Sequence, residues 1–137
     1  MLKKIFRTVV VMAVVIAILC APVAAAERAS LYIVRTSVSI SRSLNNKITV
    51  GFSITGTNTM DKIGSSAIAI YKADGTHVAT YSYTNSSYSN MMAYNEIIHA
   101  SSVTYQGIAG TSYYAVVDFL AMKDGGGDTH TMTTSIT

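Results

Sequence analysis

One short segment has the residue types of a cation site. In KDGGGDTH, residues 123–130, two aspartates and a histidine flank three glycines. An EF-hand loop needs several oxygen donors across about twelve residues and a closing Glu, which this segment lacks. A repeat-type calcium loop needs glycine pairs and Asp at fixed offsets in several copies, but there is one copy with another offset. The segment is therefore interpreted as a tight turn, with Asp124 and Asp128 as a weak candidate metal site. No cofactor is predicted.

The strand-like segment before these glycines, residues 113–123, alternates between two faces. Phe119 and the odd-numbered residues lie on one face, and Asp118 lies on the other. Burying an unpaired carboxylate would cost on the order of several kcal/mol, so the Phe119 face is expected in the core. The opposite face is a candidate apolar partner surface unless residues 85–96 cover it. Its members are Tyr114, Val116, Leu120 and Met122.

The glycines are expected to set the register of the last two strands. An even-numbered loop, or a glycine bulge, keeps the apolar residues of the last strand on the core side. This arrangement places Val117 near Ile136 and Ala121 near Met132.

Period-two alternation over most of the chain predicts an all-β fold. It is clear in residues 32–40 and clearest in residues 48–54, whereas Gly56–Ser66 is interpreted as a loop with Met60 or Ile63 beneath it. An Asp-Gly turn in Ala73–Thr76 predicts a hairpin. About seven strands, with turn signals about every 8–12 residues, predict a single immunoglobulin-like β-sandwich.

Tyr113 follows a glycine-containing corner and begins a long alternating strand. This placement resembles the tyrosine corner of immunoglobulin-like and fibronectin-like sandwiches. Its ring is expected to be buried, with the hydroxyl bonded to backbone near the preceding turn. No Cys or Trp follows residue 26, so the antibody-type disulfide pattern is absent and the resemblance concerns architecture only.

The first 26 residues are predicted to be a cleaved signal peptide. Three basic residues precede an apolar run, Thr8–Cys20, and Ala24–Ala26 provides a small-x-small cleavage pattern. The run is too short for a comfortable membrane span. Residues 27–137 then form a secreted β-sandwich domain without membrane association. Lipid attachment at Cys20 is the alternative, which Leu19 disfavours because such sites prefer a small residue there.

Cleavage changes the charge balance. The chain has ten basic and seven acidic residues, and three basic residues leave with the signal, so seven of each sign remain. A neutral domain without a basic patch gives no reason to expect nucleic-acid binding.

The segment from residue 81 to residue 94 has the composition of an adaptable recognition surface, in which tyrosines alternate with Ser and Asn. Tyrosine rings also stack on sugars. A glycan, a host or bacterial surface protein, or a second copy of the chain are the predicted partners, although Ser and Tyr are also common on exposed strands. The candidate residues are Tyr81, Tyr83, Tyr88 and Tyr94.

Two stretches resemble a family of small secreted proteins of unknown function from Gram-positive, Clostridia-type bacteria: TGTNTMDKIGSSAIAIYKADG and VTYQGIAGTSYYAVVDFLAMKDGGGD. The resemblance covers the chain from about Ala29 onward. It implies secretion and a small β-domain, and it implies no activity or catalytic residue.

The functional prediction is a secreted, non-catalytic module for binding or surface interaction. The three histidines lack metal-ligand spacing, and no G-x-S-x-G nucleophile motif occurs. The alternatives are a structural or self-assembling extracellular protein and, less favoured, a small secreted hydrolase.

Overall fold

The computed structural model of the protein describes residues 30–137, so the predicted signal peptide lies outside the described residues. Eight strands follow in chain order, with one 3₁₀ helix between the fourth and the fifth. The elements are β1 (Ile33–Arg42), β2 (Lys47–Met60), β3 (Lys62–Lys72), β4 (His77–Ser82), the 3₁₀ helix (Ser86–Met91), β5 (Met92–Ala93), β6 (Glu96–Gln106), β7 (Tyr113–Lys123) and β8 (Gly126–Thr133).

The strands form two antiparallel sheets. One sheet has the order β1-β2-β6, and the other has the order β4-β3-β7-β8 with the two-residue β5 paired to β3. The prediction of an all-β fold is confirmed, and the described chain has seven long strands and one very short one. None of the helical segments in residues 30–137 has the length and apolarity needed to span a membrane.

The core lies between the two sheets and is built from alternate residues of β2, β3 and β7. Phe119 is fully buried, and its ring meets Phe52 of the other sheet edge to face at 6.0 Å. The odd-numbered face of β7 is therefore the inner face, as the position of Asp118 predicts. Each large apolar side chain buried here contributes about 1.5–3 kcal/mol. The shared core residues include Ile48, Val50, Ile54, Ile68, Ile70, Ala115, Val117 and Ala121.

The predicted loop at residues 56–66 was wrong, because β2 runs to Met60 and β3 begins at Lys62. The chain turns from one sheet into the other there, and the register with β6 shifts between Thr55 and Met60. Such corners let one continuous strand serve two sheets. Met60 and Ile63 are both fully buried, as was expected of at least one of them, and they anchor the corner.

The β7–β8 hairpin turns at Asp124 and Gly125, which both have positive φ angles of 51° and 79°. This is the geometry of the two-residue turn that Asp-Gly favours. Val117 consequently pairs with Met132 and not with a residue near Ile136. The expected even loop is present, but the predicted register was wrong by four residues, because Gly126 and Gly127 begin β8 instead of extending the loop.

The predicted Asp-Gly hairpin between β3 and β4 is also present. The Lys72 amide donates to the Thr76 carbonyl at 2.8 Å, and the Thr76 amide donates to the Asp74 carboxylate at 2.8 Å. The short polar side chain thus satisfies a turn amide that no strand partner could reach.

Candidate functional site

The tyrosines of the segment 81–94 do not share one surface. Tyr81 lies on the inner side of β4, where its hydroxyl donates to the Thr104 carbonyl of the opposite sheet at 3.0 Å. Its ring meets Tyr88 edge to face at 4.8 Å, and both rings pack against the core. Burial is the main cause that raises the pKa of Tyr81, followed by the neighbouring Tyr88 and Tyr105 hydroxyls. These two rings close the gap between the sheets.

The other two tyrosines lie elsewhere. The Lys62 ammonium donates to the Tyr83 hydroxyl at 2.6 Å and lies 4.3 Å from the ring centroid, so this tyrosine is engaged within the domain. Tyr94 is 59% exposed and is the one ring of the four that is mostly open to solvent. A recognition surface built from all four tyrosines would require these internal contacts to break.

The 3₁₀ helix closes the side of the sandwich where β4 and β6 form the sheet edges. Asn85 caps it by accepting from the Ser87 amide, and Met91 at its end is fully buried. The Asn90 side chain donates to Ser101 of β6 at 3.0 Å. The alternative that residues 85–96 cover the outer face of β7 is wrong, because the 3₁₀ helix packs against β3, β4 and β6 and directs Met91 into the core.

The outer face of β7 carries the predicted apolar partner surface, and its members are partly exposed. The Tyr114 ring stacks on Tyr71 of β3 with centroids 5.3 Å apart and planes at 12°. In the same face, the Thr131 hydroxyl donates to the Asp118 carboxylate at 2.7 Å. Asp118 therefore has a partner on the outside of the sheet and interrupts the apolar row that Val116, Leu120 and Met122 would otherwise form.

Tyr113 lies at the end of the sandwich near the β6–β7 loop. Its ring is fully buried, meets Tyr105 edge to face at 5.6 Å, and lies beneath the Arg42 guanidinium at 5.7 Å. Its hydroxyl accepts a hydrogen bond from the Ile108 amide at 3.0 Å. The contact ties the start of β7 to the preceding loop.

Replacing this hydroxyl tests that contact. In Tyr113→Phe the Ile108 amide loses its partner, so we expect the free energy of unfolding to fall by about 0.5–1.5 kcal/mol in urea titrations. Tyr94→Phe removes a hydroxyl from an exposed ring and should change stability by less than about 0.5 kcal/mol. Equal effects of the two substitutions would show that the Ile108 contact does not stabilise the corner.

The opposite side of the sandwich lies between the edge strands β1 and β8, which no ladder joins, and is called the open side. The Thr36 hydroxyl donates to the Met132 sulfur across it at 3.1 Å. Within residues 30–137, β1 pairs only with β2 and β8 pairs only with β7. Proteins commonly protect edge strands with lysine, proline or a bulge. The eight residues of β8, GGDTHTMT, contain neither Lys nor Pro, and their pairing with β7 is continuous from Lys123–Gly126 to Val116–Thr133.

The β7–β8 hydrogen bonds show which amides and carbonyls of β8 point away from β7. The Thr134 amide donates to the Ala115 carbonyl at 2.9 Å, so these residues form a hydrogen-bonded pair. Hydrogen-bonded and non-bonded pairs alternate along an antiparallel ladder. Because the register is continuous, every second residue of β8 presents its amide and carbonyl to the open edge. These residues are Gly127, Thr129, Thr131 and Thr133.

A groove of about 430 Å³ lies between the first part of β1 and the first half of β8. Its apolar lining includes Leu31 and Val34, which are 77% and 65% exposed. Arg35 and His130 also line this groove, and both residues are exposed. The complete lining is Ser30, Leu31, Ile33, Val34, Arg35, Thr36, Asp128, Thr129 and His130.

The alternation of β1 predicts Val34 on the same face as Val38 and Ile40, but a bulge between Ile33 and Arg35 changes this. Val34 is exposed to the groove, whereas Val38 and Ile40 pack against the core. One extra residue in a strand reverses the side on which the residues before it lie. The groove residues were missed for this reason, and the one available signal was the unbroken apolar run from Leu31 to Val34.

Asp128 fastens one end of the open side. Its carboxylate accepts hydrogen bonds from the Ser30 hydroxyl and from the Tyr32 amide, the latter at 3.1 Å. The Tyr32 hydroxyl lies against Gly126, where a Cβ would collide with it. Asp124 is separately engaged, because its amide donates to the Asp61 carboxylate at 2.9 Å.

Residues 30–137 contain no group of three or more His, Cys, Asp or Glu side chains that could hold a metal ion. Of the weak candidate pair, Asp124 lies in the β7–β8 turn, and Asp128 accepts hydrogen bonds from Ser30 and Tyr32.

The hydrogen bonds to Asp128 predict the sign with which this contact depends on pH. The Ser30 hydroxyl, and then the Tyr32 and Leu31 amides, hold the pKa of Asp128 below 3.8. A lowered folded-state pKa means that the contact stabilises the protein above pH 3.8 and is lost as the pH falls through the folded-state value. We expect the amide shift of Tyr32 to titrate with a midpoint below 3.8 in NMR spectra.

The pH-dependent shift of the Tyr32 amide should vanish in Asp128→Asn and persist in Asp124→Asn, which leaves the contact intact. A midpoint of this amide shift at or above 3.8, or an unchanged shift in Asp128→Asn, would contradict the assignment.

Comparison of the chain with family models, with curated proteins and with solved structures finds no match.

Proposed function

We propose that this protein is a secreted, non-catalytic binding module of immunoglobulin-like architecture that binds its ligand on the open side between β1 and β8. The observation that carries the proposal is the groove beside β8, whose outer edge pairs with no other strand of residues 30–137. The groove places apolar side chains beside polar ones, so it can both bury part of a ligand and fix its orientation. The opposite side, in contrast, is occupied by the 3₁₀ helix and by Tyr81.

The strand order supports the immunoglobulin-like part of the proposal. In these domains the second strand, B, lies between A and E, and strand F lies between C and G. Here β2 lies between β1 and β6, and β7 lies between β3 and β8. The extra strand β4 joins the sheet of β3, as strand C′ does in variable-type domains. Tyr113, at the first position of β7, occupies the place of the corner tyrosine at the start of strand F.

The composition of the first 26 residues supports export, through their basic start, their apolar run and the small residues at their end. Expression of the full chain in a Gram-positive host tests this part. We expect the product in the medium to begin at Glu27, as read by intact mass and N-terminal sequencing. A product that keeps residues 1–26, or stays with the cells, would contradict secretion. We also propose that the protein comes from a Gram-positive, Clostridia-type bacterium, as its resemblance to that family of small secreted proteins implies.

The binding proposal is tested with panels of immobilised glycans and displayed peptides. Wild type is compared with Val34→Asp, which places a charge in the apolar lining of the groove, and with Tyr94→Ala, which removes the exposed tyrosine. We expect at least one class of ligand to lose affinity by about tenfold or more, ~1.4 kcal/mol, in Val34→Asp only. Binding that survives Val34→Asp and is lost in Tyr94→Ala would move the site to the segment 81–94.

A further inference from the structure

The open side carries two sets of groups that together specify a ligand class. We infer that the ligand is an extended peptide, which adds as a strand to the free edge of β8 and places alternate apolar and acidic side chains in the groove. This inference rests on the proposed function, since it identifies the ligand of the same side of the domain.

The backbone of β8 specifies the extended conformation. Four residues, spaced by two along the strand, present their amides and carbonyls to the open edge: Gly127, Thr129, Thr131 and Thr133. Unpaired groups in this pattern match the donors and acceptors of another strand, and peptide recognition by strand addition uses them in this way. A glycan has no matching series of alternating amide donors and carbonyl acceptors.

The groove specifies the side chains that such a strand carries on its inner face. Residues of one face recur about every 6.8 Å along a strand. Val34 and Leu31 offer apolar contacts, and their exposed fractions of 65% and 77% leave much apolar surface to bury. Arg35 lines the same groove, and its guanidinium can form a two-pronged hydrogen bond with a carboxylate. The His130 imidazole provides a further polar contact.

A second copy of the chain fits this groove less well. Pairing of two β8 strands would turn Asp128, His130 and Met132 of one copy toward the groove of the other. The Asp128 carboxylate is already engaged by Ser30 and Tyr32, and Met132 already packs against the core of its own domain. This strand therefore offers neither a free acid nor a free apolar side chain, whereas a separate peptide can offer both.

The probe is a synthetic, fluorescein-labelled heptapeptide of sequence Thr-Val-Thr-Glu-Thr-Val-Thr, in which the inner face carries Val, Glu and Val. Three matched probes are compared with it. One replaces Glu by Lys, and the other two carry N-methyl groups, each on one of the two possible sets of alternate amides that would donate to β8. Fluorescence anisotropy measures binding to the purified protein. We expect the Lys probe to bind about tenfold more weakly because it faces Arg35. One N-methyl set should weaken binding by about tenfold or more, because several backbone hydrogen bonds are lost.

The protein side of the test uses one position. Thr129→Pro removes an outward amide, which an edge strand tolerates, whereas Thr129→Val retains the amide and changes only the hydroxyl. We expect Thr129→Pro to weaken binding of the Glu probe by about tenfold, and Thr129→Val, which changes the groove lining but keeps the amide, to weaken it clearly less. If Thr129→Pro does not fold, the N-methyl probes still decide whether the peptide binds through its backbone.

The outcomes separate this inference from the proposed function. The inference would be overturned if the parent and both N-methyl probes bound with equal affinity. It would also be overturned if the Glu probe did not bind while a glycan bound in the groove. Either result would leave the proposed binding module in place. Sedimentation showing a dimer that Thr129→Pro converts to a monomer would assign the edge to a second copy and also overturn it. Peptide binding that Val34→Asp does not weaken would count against the proposed function itself.

Discussion

Gly64→Ala is expected to lower the free energy of unfolding by about 2–5 kcal/mol, through overpacking and backbone strain. Gly64 pairs with Met92 of β5, and a Cβ at this position would collide with the Met91 carbonyl oxygen and lie 2.9 Å from the Met92 Cα. Its φ of 156° also lies where L-residues are rarely found. Because the obstacle is backbone, β5 and the end of the 3₁₀ helix would have to move away and expose the buried Met91.

Gly110→Ala separates the two causes. Gly110 has a φ of 78°, but a Cβ there would meet nothing within 4 Å, so its cost is backbone strain of about 1 kcal/mol. Urea denaturation followed by circular dichroism measures both variants. If Gly64→Ala were no more destabilising than Gly110→Ala, the close packing of the 3₁₀ helix and β5 on β3 would be contradicted.

Phe119→Ala is expected to lower the free energy of unfolding by about 3–5 kcal/mol. The side chain is fully buried between the sheets and meets Phe52 edge to face at 6.0 Å. Its removal deletes apolar burial from both sheets and leaves a cavity at the centre of the core. A domain of this size has a total stability on the order of 5–15 kcal/mol, so the variant should unfold at a clearly lower urea concentration.

Leu120→Ala is the matched control, since it truncates the adjacent residue on the partly exposed outer face of β7. We expect it to cost less than half as much as Phe119→Ala. The reverse order, with the Leu120 substitution more damaging, would mean that the outer face is covered in solution and that the apolar partner surface with Tyr114, Val116 and Met122 is occupied.

Alternation alone predicted the parts of the fold in which one strand face meets the core. The inner residues of β2 and β7 followed from period two, and Asp118 identified the outer face because a carboxylate resists burial. Asp-Gly predicted the β3–β4 turn because glycine accepts positive φ at little cost. In each case a local physical preference agreed with the tertiary structure.

Other features depended on relations that a local pattern does not contain. Residues 56–66 are polar enough to resemble a loop, yet the buried Met60 and Ile63 anchor a continuous passage between sheets. The register of β8 was set by the tight turn at Asp124–Gly125, although this leaves Ile136 61% exposed. Local turn geometry here outweighed the burial of one more apolar residue.

The candidate site was the least predictable feature. Its two walls, around Val34 in β1 and Thr129 in β8, are distant in sequence and meet only because both strands are edges on the same side of the sandwich. Composition instead indicated the tyrosines of residues 81–94, but Tyr81 and Tyr88 mainly close the side of the sandwich between β4 and β6. Unprotected edges become visible only when the strand order is known.

The most direct test of the central claim maps where the Glu-containing heptapeptide binds. Amide chemical shifts of the ¹⁵N-labelled protein are recorded during titration with this probe. The proposed site predicts the largest shift changes at Thr129, Thr131 and Arg35, and small changes at Asn90 and Tyr94 on the opposite side. Largest changes around Asn90 and Tyr94, with β8 unaffected, would contradict the claim that the open side between β1 and β8 is the binding surface.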